Sequence, residues 1–329
     1  MIKRTIAAAA CGLLLLAGSR AHAVAEAGVP SLTIPPGARA NGMGEAYVAL
    51  SDDATAAWWN PGGPAFVGMR NLAFMHSQLV PDLASDVYYE FLGYTHEVSK
   101  VGTLALSFIY LTYGENVATD TQGIEQGKFT SWEGSINGSF AMPLGDNIGV
   151  GLSMKFIHVD YAPAQFTVER QEGAASSFAV DAGALWKFPS KRLNLGLAIT
   201  NMGPDIAFID REQADPLPIT ARLGAGWTAV ADDVSNLLLA ADIEQSLVWL
   251  VDGSTSTRRS EIWHGGVEYR YVNLLAGRFG WIYDQDGDFN AATYGLGFIY
   301  KDRLSLDYAN VPQAETLDRV HRWSIYFKF

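Results

Sequence analysis

Beyond about residue 70 the chain becomes a succession of segments in which apolar residues alternate with small or polar ones, each closed by turn residues. In 148–156, Ile148, Val150, Leu152, Met154 and Phe156 share one face at the two-residue period of a strand, opposite Gly149, Gly151, Ser153 and Lys155. The same division sets Phe178, Val180, Ala182, Ala184 and Trp186 against Asp181, Gly183 and Lys187. It recurs in Tyr294, Leu296, Phe298 and Tyr300 against Thr293, Gly295 and Gly297, and the polar set near 132–140 is Glu133, Ser135, Asn137 and Ser139. The pattern predicts fourteen strands, at 71–79, 86–97, 101–113, 128–142, 147–161, 175–188, 193–202, 217–229, 236–249, 260–270, 273–283, 291–300, 303–311 and 320–329.

The last of these places Trp323, Ile325, Phe327 and Phe329 on one face and Ser324, Tyr326 and Lys328 on the other. An apolar terminal strand is an open edge unless something pairs with it. A membrane barrel closes its last strand on its first and turns the apolar side chains to lipid. A soluble sandwich alternates too, but it would bury the aromatic face in a shared core and turn the small and charged face to water. The connections favour the barrel. Tight turns at 99–100, 144–146, 189–191, 231–233 and 301–302 alternate with longer loops near 114–127, 162–174, 203–216, 250–259, 284–290 and 312–319. That is the asymmetry of short periplasmic turns and longer extracellular loops. Seven of the nine tryptophans, at 132, 186, 227, 249, 263, 281 and 323, lie within or at the ends of predicted strands, where indole rings favour the membrane interface. The expected fold is all-β: a transmembrane antiparallel barrel of about fourteen strands over 71–329, with both termini on the periplasmic side and Phe329 open to the barrel assembly machinery before closure.

The beginning of the chain agrees with export to a bacterial outer membrane. Lys3 and Arg4 precede an apolar run over 6–17, and Ala21, His22 and Ala23 form a small-x-small cleavage pattern, so 1–23 reads as a signal peptide. The run is too short to cross a bilayer as a helix, and no later segment approaches twenty uninterrupted apolar residues. The single cysteine, Cys11, lies inside that signal, which excludes disulfides, thiolate zinc sites and cysteine nucleophiles from the mature chain. Loss of Lys3, Arg4 and Arg20 takes the formal charge from −12 to −15, a balance opposed to nucleic acid as a partner. Apolar residues are 49%, aromatics 12% and charged residues only 18%, as suits apolar side chains facing lipid and small ones facing a lumen.

Residues 24–70 do not alternate. They carry Gly42, Met43, Gly44, Glu45, Ala46, Tyr47, Val48 and Ala49, then Asp52 and Asp53, then Trp58, Trp59, Asn60, Pro61, Gly62 and Gly63. Gly42 and Gly44 permit tight or positive-φ backbone, Ser51 or Asp52 can cap a short helix over 54–59, and Asn60 with Pro61 and Gly62 would stop it. Such a turn-rich unit is sized to fold into the lumen as a plug; the alternative is a periplasmic leader packed beneath the barrel.

The string Gly42, Met43, Gly44, Ala46, with Asp52, Asp53, Asn60 and Pro61 after it, resembles the opening of the PorV/PorQ family, outer-membrane barrels associated with type IX secretion and related to the fourteen-stranded, plugged long-chain fatty-acid transporters. The resemblance is sharp over about 37–65 and elsewhere rests on strand count, length and the terminal Phe329. Family members usually have glycine where this chain has Glu45, and a different sequence after the Asn-Pro pair. The resemblance implies outer-membrane lipid and, as partners, secreted proteins or translocon subunits; its transporter relatives imply small hydrophobic molecules.

Charges on the inward faces are expected at Glu90, Glu133, Lys155, Asp181, Lys187, Arg222, Asp242, Glu244, Glu268, Arg270, Arg278, Asp307, Arg322 and Lys328. Mixed signs in a lumen of low dielectric should pair with each other or with the plug; the functional alternative is a polar path opened when the plug shifts. Asp284, Asp286 and Asp288 alternate as in a calcium loop but lack its glycine and distal glutamate, so the readings are a weak calcium site or a solvated acidic loop. No Gly-x-Ser-x-Gly occurs, and His76, His96, His158, His264 and His321 show neither metal nor triad spacing. His264 is the best placed for chemistry, against the reading of a hydrogen-bonded lumen histidine. No cofactor and no enzymatic activity are expected. Two functions stay open: a component or adaptor of protein secretion, and a channel for small hydrophobic molecules.

Overall fold

The computed structural model describes residues 27–99, 101–167, 170–208, 214–252, 258–313 and 318–329. The signal peptide expected over 1–23, with Cys11, lies outside the described residues. Fourteen strands follow one another as β1 (Arg70–Val80), β2 (Ala84–Val98), β3 (Gly102–Thr119), β4 (Glu125–Leu144), β5 (Ile148–Asp160), β6 (Ala174–Phe188), β7 (Leu193–Met202), β8 (Thr220–Ala231), β9 (Ser235–Ser246), β10 (Ile262–Tyr271), β11 (Leu275–Asp284), β12 (Phe289–Tyr300), β13 (Leu304–Val311) and β14 (Val320–Lys328). Each pairs with its neighbours in sequence, and β1 pairs with β14 to close the barrel. Closure runs from Asn71 opposite Lys328 to Ser77 opposite Arg322. Phe329 extends it, exchanging backbone bonds of 3.2 and 2.9 Å with Arg70. The edge that the terminal strand would otherwise expose is thereby removed.

Alternation translates into burial. Leu152, Met154 and Phe156 of β5 face outward, whereas Ser153 and Lys155 are buried. In β14, Trp323, Ile325 and Phe327 point outward and Arg322 and Ser324 inward. Rings on five successive strands, His76, Tyr88, Tyr110, Trp132 and His158, form an outward belt with centroids 5.3–6.2 Å apart. Trp186 with Phe188, and Phe327 with Phe329, stack at the opposite end. Aromatic girdles flanking an apolar band are the surface of a membrane barrel. Met154, 65% exposed at the centre of β5, is accordingly a site where Met154→Arg should cost about 2–4 kcal/mol. The check is the urea midpoint of refolding into lipid vesicles, with Ser153→Ala on the other face as the comparison.

Several boundaries differ from the sequence reading. The loop expected over 114–127 is mostly strand: β3 and β4 remain paired from Thr103 opposite Ala141 out to Thr119 opposite Glu125, so the two form a projecting hairpin. A bulge between Thr112 and Glu115, with Gly114 at φ +74°, interrupts the alternation there and hides the continuation from a period-two pattern. Trp249, expected at the end of a strand, sits in the short helix Val248–Asp252. Glu90, expected inward, points outward and pairs with His76 at 2.8 Å, because Tyr89 and Phe91 on either side occupy the inner face. The turn near 270–273 is a tight reversal with Val272 and Asn273 at φ +51° and +48°, matching the twist of the strands it joins. In the 231–235 turn, backbone N–H groups of Ser235 and Val234 hold the Asp232 carboxyl below its usual pKa. Both ends of the barrel sequence lie at the end that carries these short turns, here termed the turn end, opposite the loop end.

The lumen and its plug as the candidate functional site

Residues 27–69 occupy the interior. They contain 3-10 turns at Pro30–Leu32 and Gly63–Phe66 and two short helices, α1 (Ala38–Gly42) and α2 (Ala56–Trp59). Tyr47, Trp58 and Trp59 pack edge to face at 4.8–5.6 Å and join a core with Met75, Tyr89, Phe91, Ile109 and Leu111 on the inner faces of β1 to β3. Neither Ser51 nor Asp52 caps α2. Asp53 does the local work, its Oδ1 accepting from the Thr55 amide at 2.8 Å and the Thr55 hydroxyl at 2.6 Å. Ser51 instead donates back to the Tyr47 carbonyl at 3.0 Å. Asn60 ends α2 in extended conformation.

Glycines on the inner wall let the plug backbone approach. A Cβ on Gly266 or Gly280 would overlap Met43 and Gly44; on Gly151 or Gly183, Asn60 and Pro61; on Gly196, Val48; on Gly93, Ala54. Gly42 lies against Gly295: a Cβ on Gly42 would stand 2.9 Å from the Gly295 Cα, and one on Gly295 3.1 Å from the Gly42 Cα. The small face of the strands is thus a mould for main chain, which explains why these strands alternate large apolar residues with glycine rather than with polar ones.

Polar contacts fix the plug at defined points. Asp242 Oδ2 accepts from the consecutive amides of Tyr47 and Val48 at 2.7 and 2.8 Å. The Gly44 amide donates to Thr293 Oγ1 at 2.9 Å. Its carbonyl accepts from His264 Nδ1 at 2.9 Å, which gives this histidine a structural partner in the plug. Asn60 donates to the carbonyls of Val48 and Ala184 at 3.0 and 2.9 Å. The Ser31 amide donates to Glu133 at 2.8 Å, and Glu133 also accepts from Tyr161 at 2.8 Å and from Tyr113.

The strongest tie is ionic. Arg39 of α1 forks onto Glu268 at 2.9 and 3.1 Å and reaches Asp52 at 2.5 Å. Glu268 also holds Arg270 at 2.9 Å and Arg278 at 2.6 Å, and Arg278 continues to Asp307 at 2.5 Å. Arg39, with Arg270 beside it, holds the Asp52 carboxyl below its ordinary value. For Asp53 the balance goes the other way: burial, then the Asp52 charge, push its carboxyl up against the opposing pull of Arg39. On other strands Lys155 pairs with Asp181 at 3.0 Å. Arg222 pairs with Glu244 at 2.7 Å while lying over Trp58 and Trp59. The expected lumen charges Glu133, Lys155, Asp181, Arg222, Glu268 and Arg278 therefore all find partners, three of them directly in contact with the plug.

Two spaces flank the plug. At the loop end a cavity of about 460 Å³ is bounded by Pro30, Glu45, Glu244, His264 and Arg322. At the turn end a cleft of about 100 Å³ lies among Asp52, Asp53, Arg270, Arg303 and Lys328. The aspartates of the outer loop diverge: Asp284 accepts from the Asp286 and Gly287 amides at 3.1 and 3.0 Å and pairs with Arg259 at 3.2 Å. Asp286 accepts from the Ser260 amide at 2.5 Å. Among the described residues no group of three His, Cys, Asp or Glu side chains is placed to hold a metal ion.

A closed fourteen-stranded antiparallel barrel with an apolar, aromatic-girdled exterior and an N-terminal segment moulded into its lumen defines an outer-membrane β-barrel of the plugged type. Its family follows from sequence. The chain belongs to the PorV family: the family model described as type IX secretion system protein PorV matches residues 3–251, taking in the plug and β1 to β9. No curated protein is significantly similar to the chain in sequence. Among solved structures it is similar to the Ralstonia pickettii toluene transporter TbuX at 12% identity and TM-score 0.60, covering 89% of this chain and 98% of that one. The Pseudomonas putida toluene transporter TodX gives 12% identity and TM-score 0.56 over 88% of this chain and 96% of its own. A Pseudomonas aeruginosa FadL homologue gives 13% and 0.50 over 88% and 97%. At these identities the likeness is one of fold.

The motif residues are explained by this geometry. Gly42, Met43 and Gly44 thread between Gly266, Gly280 and Gly295, and Ala46 follows them in the buried core. Asp52 and Asp53 close the Arg39 and Thr55 contacts, and Asn60 and Pro61 fill the hollow at Gly151 and Gly183. Glu45, where family members usually have glycine, stands at φ +66°, a conformation that glycine adopts without cost. Sequence reasoning missed the wall glycines as plug contacts and Asp242 as an amide anchor, since both depend on which strands the plug meets.

Proposed function

We propose that this protein is a non-enzymatic outer-membrane component of type IX protein secretion, exported by its N-terminal signal, that receives secreted proteins or translocon subunits at its loops and mouth. Membership of the PorV family carries this reading. The interior supports it: a lumen occupied by a plug held through Asp242, Glu268 and Thr293 suits a docking component better than an open pore. Deleting the gene in its host should leave secreted proteins retained in the cell, with uptake of a hydrophobic fluorescent tracer unchanged. Normal secretion with defective uptake would reverse the assignment.

A second reading follows from one observation, the loop-end cavity, whose walls include the apolar side chains of Val248, Ile262, Ile282 and Val311. With a fold like that of toluene transporters, such a space would admit small hydrophobic molecules, which would have to pass the plug. Deletion would then lower tracer uptake and leave the secretome intact.

A further inference from the structure

The outer face of the barrel carries a groove of about 530 Å³ across β4 to β7, on the turn-end side of the apolar band. Its floor is Val150, Ala182 and Ala184, and the larger Phe140, Met142 and Leu197 flank it on the outer two strands. Register makes the hollow. Ala184 stands opposite Val150 on one side and Leu197 on the other, and Val150 stands opposite Met142. Side chains so opposed are about 5 Å apart at their Cβ atoms, so short ones between long ones leave a depression. The inner side of the same wall is bare as well: Gly151 and Gly183 turn no side chain to the lumen, and Asn60 and Pro61 of the plug press against them. Asn60 also donates to the Ala184 carbonyl at 2.9 Å. At the Met43 seat, by contrast, Gly280 lies between Phe279 and Trp281, whose rings cover the outside. Behind Asn60 and Pro61 only main chain and small side chains separate the plug from lipid.

In the membrane this hollow faces acyl chains, and left unfilled it forfeits contacts on one side of every atom that lines it. Moving apolar surface from lipid to protein supplies no hydrophobic drive, so a preference for one lipid has to come from packing and from its headgroup. Both are available at this corner of the barrel. Trp186 and Phe188, stacked at 5.1 Å, mark the interface just beyond the groove. Ala184 precedes Phe188 by four residues, about 13 Å along a strand that rises about 3.3 Å per residue. The turn that follows exposes Lys191 and Arg192. Among the described residues neither pairs with a carboxylate, and the second turn beneath the groove adds only Asp146. An apolar hollow at chain depth is thereby combined with two unpaired cations at headgroup depth.

We propose that this groove binds one anionic phospholipid of the periplasmic leaflet, with an acyl chain over Val150, Ala182 and Ala184 and the headgroup on Lys191 and Arg192. The chain backs the wall on which Asn60 and Pro61 sit, so occupation stiffens that seat of the plug. The site rests on the place of the barrel in the outer membrane and stands independently of whether the protein serves secretion or uptake.

The test is native mass spectrometry of the full-length barrel in a nonionic detergent, with phosphatidylglycerol and phosphatidylethanolamine added in equal amounts. One phosphatidylglycerol should be retained per chain, ahead of phosphatidylethanolamine. Ala184→Phe fills the groove with a residue that strands favour and should abolish this retention, whereas Ala241→Phe, outward on β9 and away from the groove, should leave it intact. Should Ala184→Phe fail to give a folded, heat-shifted band, Leu197→Ala, which lowers one side of the groove, takes its place with the same expectation. Lys191→Gln combined with Arg192→Gln should bring the two lipids level, since each cation near a membrane surface is worth about fivefold in binding an anionic lipid. Hydrogen exchange at the Asn60 and Gly62 amides should slow when phosphatidylglycerol is added to the parent barrel and not when it is added to the groove-filled variant. No retained phospholipid, the two lipids retained alike by the parent, equal retention by the Ala184 and Ala241 variants, or exchange unmoved by lipid would overturn the proposal and leave the groove an ordinary stretch of lipid-facing wall.

Discussion

Gly280→Val is expected to expel the plug from its seat while leaving the barrel closed. Gly280 faces inward on β11, directly opposite Gly266 on β10, and the pair clasps Met43 and Gly44. A Cβ at position 280 would overlap backbone atoms of both plug residues. Main chain cannot rotate aside as the end of a flexible side chain can, so the plug has to withdraw. Withdrawal breaks the bonds from the Gly44 amide to Thr293 and from His264 to the Gly44 carbonyl, at about 1 kcal/mol each before the stranded buried groups are counted. The ladder itself has no objection to valine, which is a favoured strand residue. The expected result is a barrel that still shifts on heating in detergent gels but whose 27–69 segment is cut by protease, with higher permeability to small solutes. Gly277→Val, on the outer face of the same strand with nothing near its Cβ position, supplies the comparison. Equal protease resistance in the two variants would mean that the glycine wall is not what seats the plug.

Glu268→Gln is expected to be the most destabilising change in the lumen that keeps side-chain shape. Glu268 is 1% exposed and gathers Arg39 from the plug, Arg270 from its own strand and Arg278 from the next, at 2.9, 2.9 and 2.6 Å. Neutralising it leaves three guanidiniums crowded together with only Asp52 and Asp307 at the periphery. Removing one partner from a buried ion pair costs about 3–5 kcal/mol, because the remaining charge stays buried without compensation. The measurement is the temperature at which the folded band converts to the unfolded one, together with protease resistance of the plug. Glu115→Gln removes an ion pair of similar length, 2.6 Å to Lys128, but both partners are about half exposed, and solvent screening should leave its effect small. If the two variants melt alike, the central carboxylate is not the keystone of this network.

The barrel was legible along the chain because its cause is local. A strand between lipid and a filled lumen has two chemically different faces, and a period of two writes that difference into every residue of β5, β6, β12 and β14. Where the period broke, at the Gly114 bulge and around Trp249, the reading broke with it. The lumen charges were legible as a set, since Lys155, Asp181, Glu268 and Arg278 fall on the inner face by alternation alone. Their partners were not, because Arg39 meets Glu268 across 229 residues of sequence and no pattern records that distance.

By itself, then, the amino-acid sequence determined the strand count, the outward and inward faces, the closing role of the strand that ends in Phe329, and the existence of a distinct segment before β1. Only the tertiary structure decided where that segment goes and what holds it. Alternation is a property of one strand at a time, whereas the seat of the plug is made jointly by Gly151, Gly183, Gly266 and Gly280 from four strands, and the groove on the outer wall exists only because β4 to β7 set Met142, Val150, Ala184 and Leu197 side by side.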